Sequence, residues 1–339
     1  MPDIDWYYPA RERLAQLPTP LDLLPRATER WGSGRKIWCK RDDFTGALLT
    51  GNKVRKLEFI AAEARARGCH GLITAGALQS NHCRATAAVA AQLGMKCELL
   101  LRSDGDELSG NYLLSELLNA EITFVSKRTT GDEMSEHLAE VESRWAVRGD
   151  KAMVIPIGGS DEVGIWGYIA AVEELKNDMR VRGIDRALIV HATGSGGTQA
   201  GLNAGVALHQ CPAQVLSYAV CDDEAYFVDK AKADWVNAQR AYPQLPSLEI
   251  AAETNDAYIG PGYGRADTEV FDTIAELAAL EGVVLDPVYT GKAFHGLISD
   301  IASDALVSDI DDIIFVHTGG VFGIFPHVDS ISRSVEKRR

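Results

Sequence analysis

The chain has 339 residues, with 34 Lys and Arg against 48 Asp and Glu, a net charge of −14. That balance argues against a nucleic acid or an anionic membrane as partner, but leaves room for a small anion held by a few local donors. An apolar content of 46% and a charged content of 24% are ordinary for a globular chain, and the length suits two domains or one large α/β unit.

Taken in order, MPDIDWYYPARERL at the start has no apolar run of the signal-peptide kind, and no later run approaches the ~20 residues that span a bilayer. Strand KIWCK (36–40) leads to helix RKLEFIAAEARARG, strand GLITAG (71–76), helix HCRATAAVAAQLG, strand CELLLR (97–102), helix NYLLSELLNA and strand EITFV (121–125). Strand MVIPIG (153–158) precedes helix VGIWGYIAAVEELKNDM. Strand RALIVHAT (186–193), helix GTQAGLNAGVALHQ and strand VLSYAVC (215–221) follow. The segment from Cys221 to Ile259 fits no pattern. The last elements are helix DTEVFDTIAELAALEG, strand GVVLDP (282–287), helix KAFHGLISDIASDAL and strand DIIFVHTGG (312–320). Apolar strands alternating with amphipathic helices predict an α/β fold, a mostly parallel twisted sheet flanked by helices. Six scattered cysteines without a C-x-x-C pair read as reduced thiols of a cytoplasmic protein, and no metal site is expected.

In such folds ligands bind beyond the carboxyl ends of the strands, so the loops there carry the chemistry. The most specific is HATGSGGTQAGL, with glycines at 194, 196, 197 and 201 and the hydroxyls of Thr193, Ser195 and Thr198. A glycine-rich turn opening a helix is a phosphate cradle. It has no G-K-[ST], and no acidic residue ends the next strand, so nucleotide readings fail. Pyridoxal phosphate (PLP) is the common phosphate-bearing cofactor that also requires a lysine. Lys53 in GNKVRKLEF opens a helix, where a cation is disfavoured by ~0.3–1 kcal/mol and an amine is easier to deprotonate. Arg55 and Lys56 are expected to pair with acids such as Asp42, Asp43 or Glu58. In GALQSNHCRAT, Ser80 or Asn81 caps a helix, or that helix start receives a carboxylate; His82 is an acid–base group or structural. Two further loops, LDPVYTGKAFHGL and HTGGVFGIF, complete the set.

GNKVRKLEF, ALQSNH, ATGSGGTQAG, LDPVYTGK and HTGG, in that order, resemble the D-cysteine desulfhydrase / 1-aminocyclopropane-1-carboxylate (ACC) deaminase family of fold-type II PLP enzymes, from about Leu17 to Gly320. The resemblance implies a two-domain homodimer. Its large domain spans 1–59 and 171–339, its small inserted domain 60–170, and PLP lies between them. It implies Lys53 as covalent anchor and proton-abstracting base, and Thr193, Gly194, Ser195, Gly196, Gly197 and Thr198 around the phosphate. Asn81 would lie beside the PLP 3′-oxygen and Thr290 at the ring nitrogen. Ser80, Asn81, His82, Tyr263, Tyr289 and Thr318 would line the substrate, with Tyr289 and Ser80 as accessory acid–base groups.

ACC deaminases resemble one another in having Glu after this tyrosine and Leu after the last-strand His; desulfhydrases have Thr at both, as here in Thr290 and Thr318. A neutral hydroxyl at the ring nitrogen favours loss of a β leaving group, so a carbon–sulfur lyase acting on D-cysteine is expected. The alternatives are a cysteate sulfo-lyase or other β-substituted amino-acid lyase, ACC deaminase, and a PLP-binding protein without turnover. Thr50 before GNK and VFGIF after HTGG depart from the family pattern.

Overall fold

A computed structural model describes residues 6–104, 109–306 and 310–339. Ten strands form two sheets among them. They are β1 (Leu21–Leu23), β2 (Lys36–Lys40), β3 (Gly71–Ala77), β4 (Lys96–Arg102), β5 (Glu121–Val125), β6 (Ala152–Val154), β7 (Ala187–Thr193), β8 (Ala213–Ala219), β9 (Glu253–Asn255) and β10 (Asp312–Val316). The larger sheet runs β1-β2-β10-β7-β8-β9, parallel except for β1; the smaller runs β5-β4-β3-β6 and is parallel throughout.

Strand period two decides what each face buries. Leu188 and Val190 of β7 join Phe294, Leu297 and Ile274 on one face, while Ile189 packs with Tyr168, Val172 and Leu175 on the other. In the smaller sheet Ile73 and Leu100 face Met134, Leu138 and Trp145 of the helix Gly131–Val147, and Leu72 and Leu99 face the opposite core.

The α/β class and most elements follow the sequence expectation. GVVLDP is the exception: residues 282–287 form no strand. Val283 and Leu285 are buried, but the six-stranded ladder is complete without this segment, and Asp286 turns the chain instead. MVIPIG is a strand only over Ala152–Val154, followed by a 3-10 turn at Ile157–Gly159. The unassigned stretch after Cys221 contains the helix Glu224–Ala241 and β9. Among the described residues no helix is long and apolar enough to cross a membrane.

Candidate active site

The strand order β2-β10-β7 sets three loops side by side at the carboxyl ends of parallel strands, although they lie far apart in the chain. The loop after β2 leads to the helix Asn52–Ala66, which begins with Lys53 at its second residue. The loop after β10 carries Thr318. The two are stapled by Asn52 N–H donating to the Thr318 carbonyl (3.1 Å) and His317 N–H donating to the Lys40 carbonyl (2.9 Å). Gly51 has φ 103, and a Cβ there would stand 2.5 Å from the Thr318 oxygen, so only glycine permits this approach.

Behind the loop, Arg55 anchors the helix. Its Nε and Nη2 donate to the two Asp42 oxygens at 2.8 and 2.7 Å, and its Nη1 to Glu174 at 3.0 Å. Tyr168 and Thr19 also donate to Asp42, at 2.6 and 2.8 Å. Arg55 thus pairs as expected, whereas Lys56 does not. Lys56 is buried, and its Nζ donates to the Gly158 carbonyl (3.1 Å) and to Ser160 Oγ (3.2 Å) rather than to an acid. Among the described residues Lys53 has no hydrogen-bond or ion-pair partner, and burial lowers its amine to about 8.

After β7, Gly196 has φ 81 and the helix Gly197–Leu208 opens with its free N–H groups beside hydroxyls and cations. Gly197 N–H donates to Ser160 Oγ (3.2 Å), Ser160 donates to Ser195 Oγ (2.9 Å), and Asn52 Nδ2 donates to Thr198 Oγ1 (3.0 Å). Ser160 Oγ is therefore an oxygen on which a helix-start N–H and the Lys56 amine converge; burial, then the Lys53 charge, hold that amine well below the ordinary lysine range. Lys230 packs on Gly196 and pairs with Asp234 at 2.5 and 2.6 Å. Among the described residues the buried hydroxyl of Thr193 has no partner. Of the sequence-assigned residues, Gly194, Ser195, Gly196, Gly197 and Thr198 all lie in this turn. Asn52, Lys56, Ser160 and Lys230 were missed. Lys56 lies one helical turn beyond Lys53, a spacing that places two residues on one face; Ser160 and Lys230 gave no signal in the sequence.

Ser80 caps the helix Asn81–Leu93, accepting from Cys83 N–H (3.1 Å), and Asn81 Oδ1 accepts from Asn111 Nδ2 (3.0 Å). His82 is buried. Its Nε2 meets Thr74 Oγ1 at 3.0 Å and its Nδ1 has no partner; burial, then the charges of Lys53 and Lys56, hold it well below its ordinary range. A neutral, buried His82 favours the structural side of the two readings. On the far wall the Tyr263 and Tyr289 hydroxyls are hydrogen-bonded, and a Cβ on Gly194 would stand 3.0 Å from the Tyr289 ring, so that ring borders the glycine turn. Burial and Tyr263 push the Tyr289 hydroxyl well above its ordinary range.

Thr290 is fully buried. Its hydroxyl accepts from Asp286 N–H (2.9 Å) and lies 2.8 Å from Asp286 Oδ1, to which it donates. Asp286 is also buried and accepts the N–H groups of Val288, Tyr289 and Thr290 at 2.9, 3.0 and 2.9 Å. The residue at position 290 carries the neutral hydroxyl of the sequence expectation, and the Asp286 side chain stands directly behind it.

A phosphate and an aldehyde-bearing ring fit these residues. The glycine turn offers N–H groups, hydroxyls and an ammonium to an anion, and Lys53 offers an amine that burial keeps near neutrality. The class so defined is an enzyme that anchors a phosphorylated cofactor through a lysine. Residues 12–319 match the family model of the pyridoxal-phosphate dependent enzymes, and the chain belongs to that family. It is 38% identical over 335 residues to the mitochondrial bifunctional D-cysteine desulfhydrase/1-aminocyclopropane-1-carboxylate deaminase of Arabidopsis thaliana, covering 94% of this chain and 80% of that one. It is 40% identical to a Thermotoga maritima protein provisionally named 1-aminocyclopropane-1-carboxylate deaminase, covering 92% and 96%. A crystal structure of an ACC deaminase homologue superposes with a TM-score of 0.87 at 34% identity, covering 96% of each chain.

Proposed function

We propose that this PLP-dependent enzyme is a carbon–sulfur lyase that converts D-cysteine and water to pyruvate, hydrogen sulfide and ammonia. The observation that carries the reading is the Lys53 amine, lowered by burial to about 8 and without a partner among the described residues, on a helix start whose Asn52 donates to Thr198 of the glycine turn. Lys53 would hold the cofactor, residues 193–198 with Asn52 and Lys56 its phosphate, Asn81 its 3′-oxygen and Thr290 its ring nitrogen. PLP bound there supplies an electron sink for negative charge at the substrate Cα.

The chain's own residues account for the rest. The helix start at Ser80–His82 directs N–H groups at the substrate carboxylate. The amine of Lys53, once displaced by the substrate amine, takes the Cα proton, because a group near neutrality serves as base without a large driving-force penalty. Tyr289, whose hydroxyl is held protonated, gives a proton to the departing sulfur, with Tyr263 against it. Thr318 lies at the wall beside Lys53. Thr290 and Thr318, in place of the Glu and Leu of ACC deaminases, favour β-elimination over ring opening.

A second reading, ACC deaminase, draws support from Asp286, since a carboxylate does act on the residue assigned to the ring nitrogen. The deciding experiment supplies D-cysteine, L-cysteine, cysteate and ACC separately, measuring pyruvate from the first three and 2-oxobutyrate from the last. Pyruvate from D-cysteine supports the proposal; cysteate turnover moves the leaving group to sulfite; pyruvate from none overturns the lyase reading. The same reading takes 1–59 and 171–339 as the large domain and 60–170 as the small one. It also takes the enzyme as a cytoplasmic homodimer, checked by light scattering and cell fractionation.

A further inference from the structure

We propose that Lys292 is a positioning residue, whose buried ammonium fixes the loop carrying Tyr263 and so holds the Tyr263 hydroxyl on that of Tyr289. The proposal rests on the reading of Lys53, Tyr289 and Tyr263 as one PLP-dependent site.

Lys292 lies in the first turn of the helix Thr290–Ala302 and is 1% exposed. Its Nζ donates to the carbonyls of Ile259 (2.7 Å) and Gly262 (2.8 Å), and among the described residues no carboxylate pairs with it. Two features make this position costly. A cation near a helix N-terminus opposes the helix dipole, and a buried charge without an ion-pair partner exchanges its hydration for the two carbonyl bonds alone and the more distant Asp267 and Asp286. Burial accordingly holds this amine below its ordinary range. What offsets the cost is the pair of carbonyls that the amine grips.

What it grips is a turn with little packing of its own. Gly260 and Gly262 are left-handed, at φ 64 and 109, and Tyr263 follows at once with 44% of its surface exposed. Core packing therefore does not hold Tyr263; the turn has its own longer backbone bonds, Arg265 N–H to the Gly262 carbonyl at 3.3 Å and Ile259 N–H to the Asp256 carbonyl at 3.4 Å, and the two shorter Lys292 bonds tie it to the helix. The clamp and the partner tyrosine share one element, because Tyr289 is the residue that precedes the helix and Lys292 is three residues on. One turn of backbone thus presents Tyr289 and fixes the loop that brings Tyr263 to it, with the rings 5.9 Å apart and nearly perpendicular at 76°.

The test is a double-mutant cycle on the PLP-loaded enzyme with Lys292→Met, Tyr263→Phe and the double variant, using the substrate that the wild type turns over. Lys292→Met is expected to keep the visible band of lysine-bound PLP and to lower kcat by about 100-fold, as for a catalytic group displaced by about 1 Å, with KM changed far less. The Tyr263→Phe change should then cost less than about threefold more in the Lys292→Met background. Two penalties that multiply would overturn the proposal, as would a Tyr263→Phe enzyme of wild-type kcat. Lys292→Gln, which keeps donors for both carbonyls, should restore part of the rate. If Lys292→Met and Lys292→Gln both fail to fold, Lys292 is a folding requirement and the proposal falls. Absence of the PLP band in the wild type would instead sink the functional reading itself.

Discussion

The Lys56 amine stands where a methyl group on Gly197 would have to go: a Cβ there would lie 2.7 Å from Lys56 Nζ and 2.6 Å from Ser160 Oγ. The glycine is therefore what lets that amine reach the start of the helix Gly197–Leu208. Gly197→Ala is expected to displace Lys56 and weaken PLP binding. Lys56→Met removes one charge-assisted hydrogen bond, worth about 1.5–3 kcal/mol, and should raise the apparent PLP dissociation constant about 10–100-fold. Fluorescence titration of the apoenzyme measures both. Thermal stability of the Lys56→Met apoenzyme should not fall, because a buried amine that desolvation penalises is replaced by an apolar side chain of similar length.

Lys53 gives a pH dependence with a definite sign. Its amine is lowered by burial to about 8, so the neutral, cofactor-reactive fraction rises tenfold per pH unit below that value and levels off above it. The rate of PLP capture by the apoenzyme, followed by visible absorbance, should trace that curve. Between about pH 8 and the ordinary lysine range the unfolded chain binds the extra proton, so apoenzyme stability should rise with pH across that window. Lys53→Ala should abolish the visible band and make this rise shallower, the remainder coming from Lys56 and Lys292, whose amines burial also lowers.

Asp42 and Arg55 form the buried pair behind the Lys53 helix. Burial alone would push the Asp42 carboxyl up, but Arg55, Lys40 and Tyr168 hold it below its ordinary range. The stability it contributes is present above the ordinary Asp range of about 4 and is lost as pH falls through its depressed folded value. Asp42→Asn removes one of the two carboxylates that Arg55 meets, leaving Glu174, and should cost about 1–3 kcal/mol in denaturant unfolding at neutral pH, with a flatter acid limb.

Thr290→Val keeps the shape of the side chain but leaves Asp286 N–H without its acceptor and Asp286 Oδ1 without its hydroxyl donor. A loss of about 1–3 kcal/mol is expected by urea unfolding, from a buried polar group left unsatisfied. Thr290→Ser should hold wild-type stability to within about 1 kcal/mol, since the hydroxyl remains. Equal losses in the two variants would show that the Asp286 bonds do not carry the effect.

The order of strands and helices, the glycine turn and the lysine at a helix start could all be read in the sequence, because each is set by local periodicity or local backbone freedom. Packing decided the rest. GVVLDP has the apolar content of a strand, yet the ladder has no place for it and Asp286 binds the following N–H groups instead. Arg55 and Lys56 are neighbours of like charge, indistinguishable by composition. One meets the Asp42 and Glu174 carboxylates and the other the glycine turn, because they leave the helix on different sides.

By itself, then, the sequence determined the α/β class, the glycine turn at a helix start and a lysine opening the helix after β2, since those rest on residue chemistry and short-range pattern. Only the tertiary structure decided that Lys56 and Ser160 meet at that turn, that a carboxylate stands behind Thr290, and that Lys292 grips the Tyr263 loop. The physical reason is burial: which partner satisfies a buried charge depends on the elements brought against it from distant parts of the chain, through the parallel order β2-β10-β7 and the faces it covers.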